Sequence, residues 1–147
     1  MGFRTAQRQA KKLRIGIAGQ SGSGKTLGAL KVAYGLIGDW SKIGVVDTEN
    51  SSAEMYDKLG PWQHMNLERP YSPEAYIAAI AEAHKAGIEV LIMDSITHEW
   101  DFCKEEVDRI SQASKNSFTA WGKVTPRHKA FVSAMKMLDH WKYDDTD

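Results

Sequence analysis

One short motif near the start of the chain constrains the fold more than any other feature. Residues Gly19–Thr26 read Gly-Gln-Ser-Gly-Ser-Gly-Lys-Thr and match the pattern Gly-x-x-x-x-Gly-Lys-Ser/Thr in full. Glycines let such a loop turn tightly and point backbone N–H groups inward, where they bind an anion. The motif follows the β-branched run Leu13–Gly19, which predicts a strand, and precedes the helical pattern Lys25–Ile37. A loop between a strand and a helix N-terminus is suited to binding phosphate.

Individual residues of this motif have expected roles. Lys25 would reach the β- and γ-phosphates of a nucleotide, and the Thr26 hydroxyl would bind Mg²⁺. Backbone amides of the loop would hold other phosphate oxygens. The candidate ligand-binding residues are Gly19, Gln20, Ser21, Gly22, Ser23, Gly24, Lys25, Thr26 and Leu27. The alternative is a glycine- and serine-rich turn that binds nothing.

Strand and helix patterns alternate along the chain after the motif. Gly38 is a stop signal for the first helix, and Ser72-Pro73-Glu74 is typical of a helix start. The run Ile88–Asp94 is almost continuously apolar, which predicts a strand buried on both faces of a parallel sheet. Other predicted elements are strands at Ile43–Asp47 and Met65–Leu67, and a last helix that starts at Thr125-Pro126. This order predicts an α/β fold, with a parallel sheet flanked by helices.

Carboxylates end two of the predicted strands. Asp94 ends the apolar run, where the carboxyl ends of parallel strands form the usual ligand edge, so it is a candidate to hold Mg²⁺ with Thr26. In Asp47-Thr48-Glu49, one carboxylate could orient and deprotonate an attacking water. For Asp94, the alternative is a strand-ending aspartate that only caps the following turn. For Asp47-Thr48-Glu49, the alternative is a polar loop without a catalytic role.

Composition excludes several classes of protein. The 147 residues are 42% hydrophobic and 26% charged, as in a single globular domain. Lys plus Arg and Asp plus Glu each total 19, so bulk positive charge cannot drive nucleic-acid binding. The single cysteine, Cys103, excludes a disulfide framework and a cysteine-cluster metal site. Because the sequence shows neither a long apolar run nor a secretory signal, we expect a cytoplasmic protein. We place the domain at residues 13–140, between a basic leader (1–12) and an acidic tail (141–147).

The phosphate motif, the segment Val45–Asn50 with Tyr56, and the segment Val90–Ser95 together resemble the RecA-type P-loop ATPase core. The chain is most similar to small phage-encoded RecA-like ATP-binding proteins linked to single-strand-annealing recombination, over about residues 13–99. The resemblance implies that Glu49 activates water and that Tyr56 stacks on adenine. The family has Asp-Ser at the end of the second motif strand, as at Asp94-Ser95, so Glu49 would supply the catalytic carboxylate. An ordinary half-buried helix tyrosine is the alternative for Tyr56.

The sequence departs from this family after Asp94. RecA-like sheets place a later strand between the two motif strands, and that strand carries a residue that senses the γ-phosphate. Only helical and polar sequence follows Asp94 here, so the sheet is expected to be incomplete, with C-terminal strands missing, as in a truncated product or a fragment. We expect either a gap beside the phosphate-loop strand or direct pairing of the two motif strands.

The resemblance also implies binding to single-stranded DNA. Basic residues alternate with aromatic ones between residues 109 and 129, a pattern that suits stacking on single strands. They are Arg109, Lys115, Phe118, Trp121, Lys123, Arg127 and Lys129. The alternative is scattered surface charge plus core aromatics.

Other features carry weaker signals. The five histidines have no metal-like spacing, and Cys103 is expected to be a small buried residue. His98-Glu99 could touch the nucleotide, but we expect a solvated helix start.

The sequence therefore predicts an ATP-binding protein with Mg²⁺ as cofactor that hydrolyses ATP and acts in phage DNA recombination or replication. It would act in the host cytoplasm as a homo-oligomer or with a partner recombination protein, and not at a membrane. Two alternatives stay open. One is a small P-loop kinase, and the other is a hydrolytically inactive nucleotide-binding interaction module.

Overall fold

The computed structural model describes residues 2–3, 5, 12–49 and 52–137. The predicted acidic tail and most of the predicted basic leader lie outside these residues, as does Asn50. The helices are α1 (Lys25–Ile37), α2 (Pro73–Lys85), α3 (Thr97–Ser114) and α4 (Ser117–Met137), with 3-10 segments at Trp40–Lys42 and Ser52–Leu59. The strands are β1 (Ile43–Asp47), β2 (Gln63–Asn66) and β3 (Val90–Asp94).

The strands form one parallel sheet in the order β2-β1-β3. All five residues of the central strand β1 are buried. In this strand Val45 lies opposite His64 of β2 on one side and Ile92 of β3 on the other. The predicted α/β class and the predicted strand at Ile43–Asp47 are confirmed, and β2 lies slightly earlier than the strand predicted at Met65–Leu67.

Helices cover both faces of this sheet. On one face, Leu30 and Ala33 of α1 pack against β1, and β3 adds Val90 and Ile92 to the same cluster. On the other face, side chains of α2 and α4 pack together with alternate residues of β3; they are Tyr76, Ile80, Leu91, Met93 and Phe131. A third cluster joins α3 to α4 and contains Cys103, Val107, Ala120 and Val124. Among the described residues, no helix combines the length and apolar character that a membrane span requires.

β3 is less buried than its sequence predicts. Its apolar run predicted a strand covered on both faces, but all five of its residues are partly exposed. Helices do contact both faces, so the exposure comes from the strand's position. β3 pairs with β1 along one edge, and no strand among residues 12–49 and 52–137 pairs with its other edge. An open edge exposes side chains of either face to solvent.

The strand predicted at Leu13–Gly19 does not form. The segment has no regular secondary structure, and the apolar side chains Leu13, Ile15 and Ile17 remain 67%, 54% and 47% exposed. A strand exists only where a neighbour supplies backbone hydrogen bonds, and the described residues provide none here. The expected direct pairing of the two motif strands is therefore absent. The Arg14 guanidinium instead donates to the carbonyls of Met135 (3.3 Å) and Lys136 (2.7 Å) near the end of α4.

Local capping explains the bounds of α1 and the start of α2, which match the predictions. At the end of α1, Gly38 has φ of 67° and its N–H donates to the Tyr34 carbonyl at 2.7 Å. This left-handed conformation costs glycine little, so it is a common way to end a helix. At the start of α2, the Ser72 hydroxyl accepts from the Ala75 N–H at 3.2 Å, and Pro73 occupies the first turn.

The last helix begins earlier than predicted. A start at Thr125-Pro126 was expected, but α4 begins at Ser117 and carries Pro126 in its interior. The first turns are held against α3 by Ala120 and Val124, which are 0% and 1% exposed. The free energy gained by burying these side chains outweighs the loss of the helix hydrogen bond that Pro126 cannot make. The described chain after β3 is almost entirely helical, which confirms that no strand follows Asp94 up to residue 137.

Candidate functional site

The loop before α1 has the backbone geometry of an anion site. Gly22 and Gly24 have φ of 76° and 81°, a left-handed conformation that side chains rarely adopt. The Ser23 N–H donates to the Gln20 carbonyl at 3.2 Å, and the Lys25 ammonium donates to the same oxygen at 2.8 Å. These bonds close the loop into a tight turn, and the Lys25 side chain folds back over it.

The N-terminus of α1 carries unsatisfied donors. Its N-cap residue is Gly24, and no described side chain caps the helix. The first helical bond runs from the Gly28 N–H to the Gly24 carbonyl at 2.8 Å. The N–H groups of the intervening residues 25–27 are therefore left to water or to a ligand, at the positive end of the helix dipole. Residues 19–24 are exposed, so an anion has free access.

A side-chain hydrogen bond joins the two predicted Mg²⁺ ligands. The Thr26 hydroxyl at the start of α1 donates to Asp94 Oδ2 at the end of β3. These residues are 68 positions apart in the chain. Both groups offer oxygen atoms, the donor type that Mg²⁺ prefers, so the pair fits this cation. The structure thus brings together two residues that the sequence predicted to act on one ion.

The two carboxylates that follow β1 occupy different environments. Asp47 is fully buried, and its oxygens accept from the backbone N–H of Glu49 (2.6 Å) and of Ala53 (2.8 Å). His64 also lies 3.6 Å from Asp47 Oδ2. Asp47 therefore stabilises the turn after β1. Glu49 is exposed at the same sheet edge, since Asp47 lies opposite Asp94 in the parallel register. Of the two carboxylates, Glu49 is the one that solvent reaches.

Hydrogen bonds link the loops at this sheet edge around Thr48. The Thr48 hydroxyl accepts from the Ser95 N–H at 3.0 Å and lies 2.7 Å from His98 Nδ1. The Tyr71 hydroxyl donates to the Thr48 carbonyl at 3.1 Å, and its ring stacks on His98 with centroids 5.0 Å apart. These contacts fix the position of β3's end relative to β1's end.

Buried groups next to Asp94 complete this network. The Tyr76 hydroxyl donates to the Ser95 carbonyl at 2.6 Å, and burial raises the pKa of Tyr76 to about 12. The peptide bond Asp94–Ser95 is cis. The expectation of a solvated helix start at His98-Glu99 was wrong, because His98 contacts Thr48 and Glu99 is only 1% exposed. Spacing along the chain does not reveal these contacts, which are formed between distant segments.

Tyr56 lies in the 3-10 segment Ser52–Leu59 and is half-buried against the cluster formed by α1 and β1. Its backbone carbonyl accepts from Trp62 Nε1 at 3.2 Å. Tyr56 therefore contributes to the fold by packing against this hydrophobic cluster. Its predicted role in stacking on adenine stays a prediction.

Two of the basic residues predicted to contact DNA are held in ion pairs. The Arg127 guanidinium makes two hydrogen bonds to the Glu74 carboxylate, at 2.7 and 2.8 Å, and holds the pKa of Glu74 down at about 2. Arg109 bonds Glu106 at 2.9 and 3.0 Å. The other predicted residues are on the surface; they are Lys115, Phe118, Trp121, Lys123 and Lys129. The surface left for a nucleic acid is therefore smaller than the sequence pattern suggests.

Comparison with known proteins gives one family match. A family model described as an AAA domain matches residues 11–144 of the chain. This match contains the phosphate loop and all seven helices and strands that surround it. No curated protein and no solved structure shows significant similarity to the chain.

Proposed function

The chain belongs to the AAA domain family, a family of nucleotide-binding domains of ATPase type, and from this premise we propose that it binds and hydrolyses ATP with Mg²⁺. The observation that carries the proposal is the hydrogen bond between Thr26 and Asp94. It brings the uncapped helix N-terminus, which attracts phosphate, next to the carboxylate that ends β3. This is the arrangement that phosphoryl transfer requires.

Each residue of the loop has a role in the proposed mechanism. The backbone amides of the loop and of the first turn of α1 bind phosphate oxygens, and Lys25 leaves the Gln20 carbonyl to contact the terminal phosphates. Thr26 and Asp94 are the residues that would hold Mg²⁺, each through an oxygen atom. When bound, Mg²⁺ would supply positive charge that stabilises the charge developing on the phosphates.

In this mechanism Glu49 orients the attacking water and accepts its proton. Two observations support the assignment. Glu49 is exposed at the sheet edge that also carries Asp94, and the alternative carboxylate Asp47 is already bonded to two backbone N–H groups. We also propose that Tyr56 stacks on the adenine base, as the resemblance to RecA-like proteins implies.

The wider role that we propose is ATP-dependent work on single-stranded DNA in phage recombination or replication, in the cytoplasm of the host cell. The resemblance to phage-encoded RecA-like proteins supports this role. Lys115, Phe118, Lys123 and Lys129 are all exposed, and basic residues interleaved with an aromatic one suit binding to a single strand. We further propose that the protein acts as a homo-oligomer or with a partner recombination protein.

Thermal unfolding with and without Mg-ATP tests nucleotide binding. A ligand at 100 times its Kd adds about 2.7 kcal/mol to the free energy of unfolding. For a chain of this length we expect a rise of several degrees in Tm. The control is Lys25→Ala, which removes a phosphate contact and should abolish most of the rise. An equal rise in this variant, or no rise in the wild type at millimolar ATP, would refute binding at the loop.

Release of inorganic phosphate, with and without single-stranded DNA, tests turnover. We expect Glu49→Gln to retain the Mg-ATP shift in Tm but to lose phosphate release. Glu68→Gln is a matched control, because Glu68 is an exposed glutamate in the loop after β2. If Glu49→Gln hydrolyses ATP at the wild-type rate, Glu49 is not the catalytic carboxylate.

One observation favours a second function, a nucleotide-binding module that does not hydrolyse ATP. The segment Leu13–Gly19 has no strand partner among the described residues, so the phosphate loop lacks support from the sheet on that side. Binding of Mg-ATP without phosphate release, in the wild type and in Glu49→Gln alike, would establish this function. Phosphate transfer to a small alcohol or nucleotide would instead identify a kinase.

A further inference from the structure

A cluster of three potential metal ligands lies between α3 and α4, on residues that the nucleotide site does not use. Glu99 and Cys103 are one helical turn apart on α3, and His128 faces them from α4. The Cys103 thiol donates to Glu99 Oε1 at 3.3 Å, and His128 Nδ1 lies 3.0 Å from Glu99 Oε2. One ligand atom from each residue lies within 4.8 Å of the other two.

The cluster is sheltered from water on the α3 side. Glu99 and Cys103 are each 1% exposed, and the side chain of His128 is 32% exposed. A buried carboxylate costs free energy unless a cation or strong donors compensate for the lost water. The groups nearest this carboxylate are the Cys103 thiol and His128 Nδ1, and both can also bind a metal. Burial and the hydrogen bond to Glu99 raise the pKa of Cys103 to about 12, so the unliganded side chain is a thiol.

A cavity lies beside these three residues. It has a volume of about 230 Å³ and is lined by Trp100, Cys103, Trp121, Val124, Thr125 and His128. Two of the three potential ligands, Cys103 and His128, therefore line this cavity. The rings of Trp100 and Trp121 stack with centroids 5.8 Å apart and form part of the wall.

We propose that Glu99, Cys103 and His128 bind a single Zn²⁺ ion, with a fourth coordination position that opens into the Trp-lined cavity. Zinc accepts carboxylate oxygen, thiolate sulfur and imidazole nitrogen, and it prefers four ligands in tetrahedral arrangement. Mg²⁺ prefers oxygen ligands alone, so the mixed donor set distinguishes this site from the pair Thr26 and Asp94. On binding, the thiol proton leaves to the buffer and sulfur bonds to the metal.

A metal here would join α3 and α4, the two longest helices in the described part of the chain. The two helices already contact each other through apolar packing that includes Val107, Ala120 and Val124, and through the stacked rings of Trp100 and Trp121. A ligand that binds only the folded state raises the free energy of unfolding. The ion would therefore stabilise the pairing of α3 with α4, and the open position would let water or a small anion bind the metal from the cavity.

The sequence makes the test specific, because Cys103 is the only cysteine of the chain. Any thiolate-to-metal absorption must therefore come from this residue. Full-length protein stripped with a chelator is titrated with Co²⁺ and, separately, with Zn²⁺, in the absence of nucleotide. We expect a thiolate-to-cobalt band that saturates at one Co²⁺ per chain, and a higher Tm with Zn²⁺.

Four variants separate metal binding from packing. Cys103→Ser should lose the cobalt band, and Glu99→Gln and His128→Asn should weaken zinc binding at least about tenfold, as loss of a ligand does more than loss of a supporting contact. Glu105→Gln is the matched control, since Glu105 is an exposed glutamate on the same helix. It should bind zinc as tightly as the wild type.

The wild-type titration decides the proposal even if a variant fails to fold. Absence of a thiolate band with Co²⁺, or less than one tightly bound Zn²⁺ per chain, would overturn it. Zinc binding that Cys103→Ser retains at full affinity would also overturn it, because the ion would then be held elsewhere.

Discussion

The hydrogen bond from Thr26 to Asp94 is expected to stabilise the protein before any nucleotide binds. The phosphate loop is not supported by strand pairing at residues 13–19, so this bond is a direct link between the start of α1 and the sheet. Replacing Thr26 by alanine removes the donor and leaves one carboxylate oxygen of Asp94 without its partner. The substitution therefore measures how much this hydrogen bond contributes to the free energy of unfolding.

The surroundings of the bond set how much unfolding free energy Thr26→Ala should lose. A hydrogen bond to a charged group contributes about 1.5–3 kcal/mol. Both residues are partly exposed, so water can replace the lost donor and the lower end of this range applies. Alanine also favours a helix over threonine by about 0.5 kcal/mol, which offsets part of the loss. The net expectation for Thr26→Ala is a loss of about 1–2 kcal/mol.

Thermal unfolding without nucleotide or Mg²⁺ measures this loss. For a chain of this size it corresponds to a fall in Tm of roughly 3–8 °C. Thr26→Ser is the matched control, because it keeps the hydroxyl and should melt within about 2 °C of the wild type. If Thr26→Ala and Thr26→Ser melt at the same temperature, the hydroxyl does not link the loop to the sheet, and the reasoning fails.

Three further predictions concern the packing behind the site. Tyr76→Phe should cost about 0.5–1.5 kcal/mol, because it removes the shorter of the two hydrogen bonds that the Ser95 carbonyl accepts, at 2.6 Å against 3.4 Å from the Thr48 hydroxyl; a denaturant titration indistinguishable from that of the wild type would contradict this. Phe131→Ala should cost about 3–5 kcal/mol, because the side chain is 1% exposed and packs on the Tyr76 ring; a smaller loss would mean that the core closes over the cavity. Because Arg127 lowers the pKa of Glu74 from 4.5 to about 2, their pair stabilises the fold above pH 4.5 and is lost as pH falls towards 2. Both side chains are substantially exposed, so the pair contributes at most about 1 kcal/mol to the free energy of unfolding. Glu74→Gln should reduce the acid dependence of Tm, and an unchanged profile of Tm against pH would contradict this prediction.

Elements with local start and stop signals could be predicted from sequence alone. The bounds of α1 and the start of α2 are as predicted, because the capping residues Gly38 and Ser72 act within one turn of the helix end. The pairing of Thr26 with Asp94 was also predictable, since both lie at fixed positions of motifs whose geometry follows from the strand and helix that carry them.

Features that depend on distant partners could not be predicted in this way. Leu13–Gly19 has a strand-like composition, but a strand needs a neighbour, and composition does not say whether one is present. Pro126 is a common first residue of a helix, yet contacts with α3 extend α4 past it. The proximity of Cys103 to His128 is also tertiary; only the four-residue spacing of Glu99 and Cys103 could have hinted at it.

The segment Leu13–Gly19, which pairs with no strand among the described residues, also affects ligand affinity. Although Arg14 bonds to the end of α4, the apolar side chains of the segment are exposed. A segment with few buried contacts opens locally at low free-energy cost, so the loop joined to it is competent to bind phosphate for a fraction of the time. The apparent affinity falls by that same fraction. Any contact that restrains Leu13–Gly19 will therefore tighten nucleotide binding without touching the nucleotide, and by reciprocity the nucleotide will tighten that contact. The nucleotide affinity of the loop therefore depends on what the segment Leu13–Gly19 contacts.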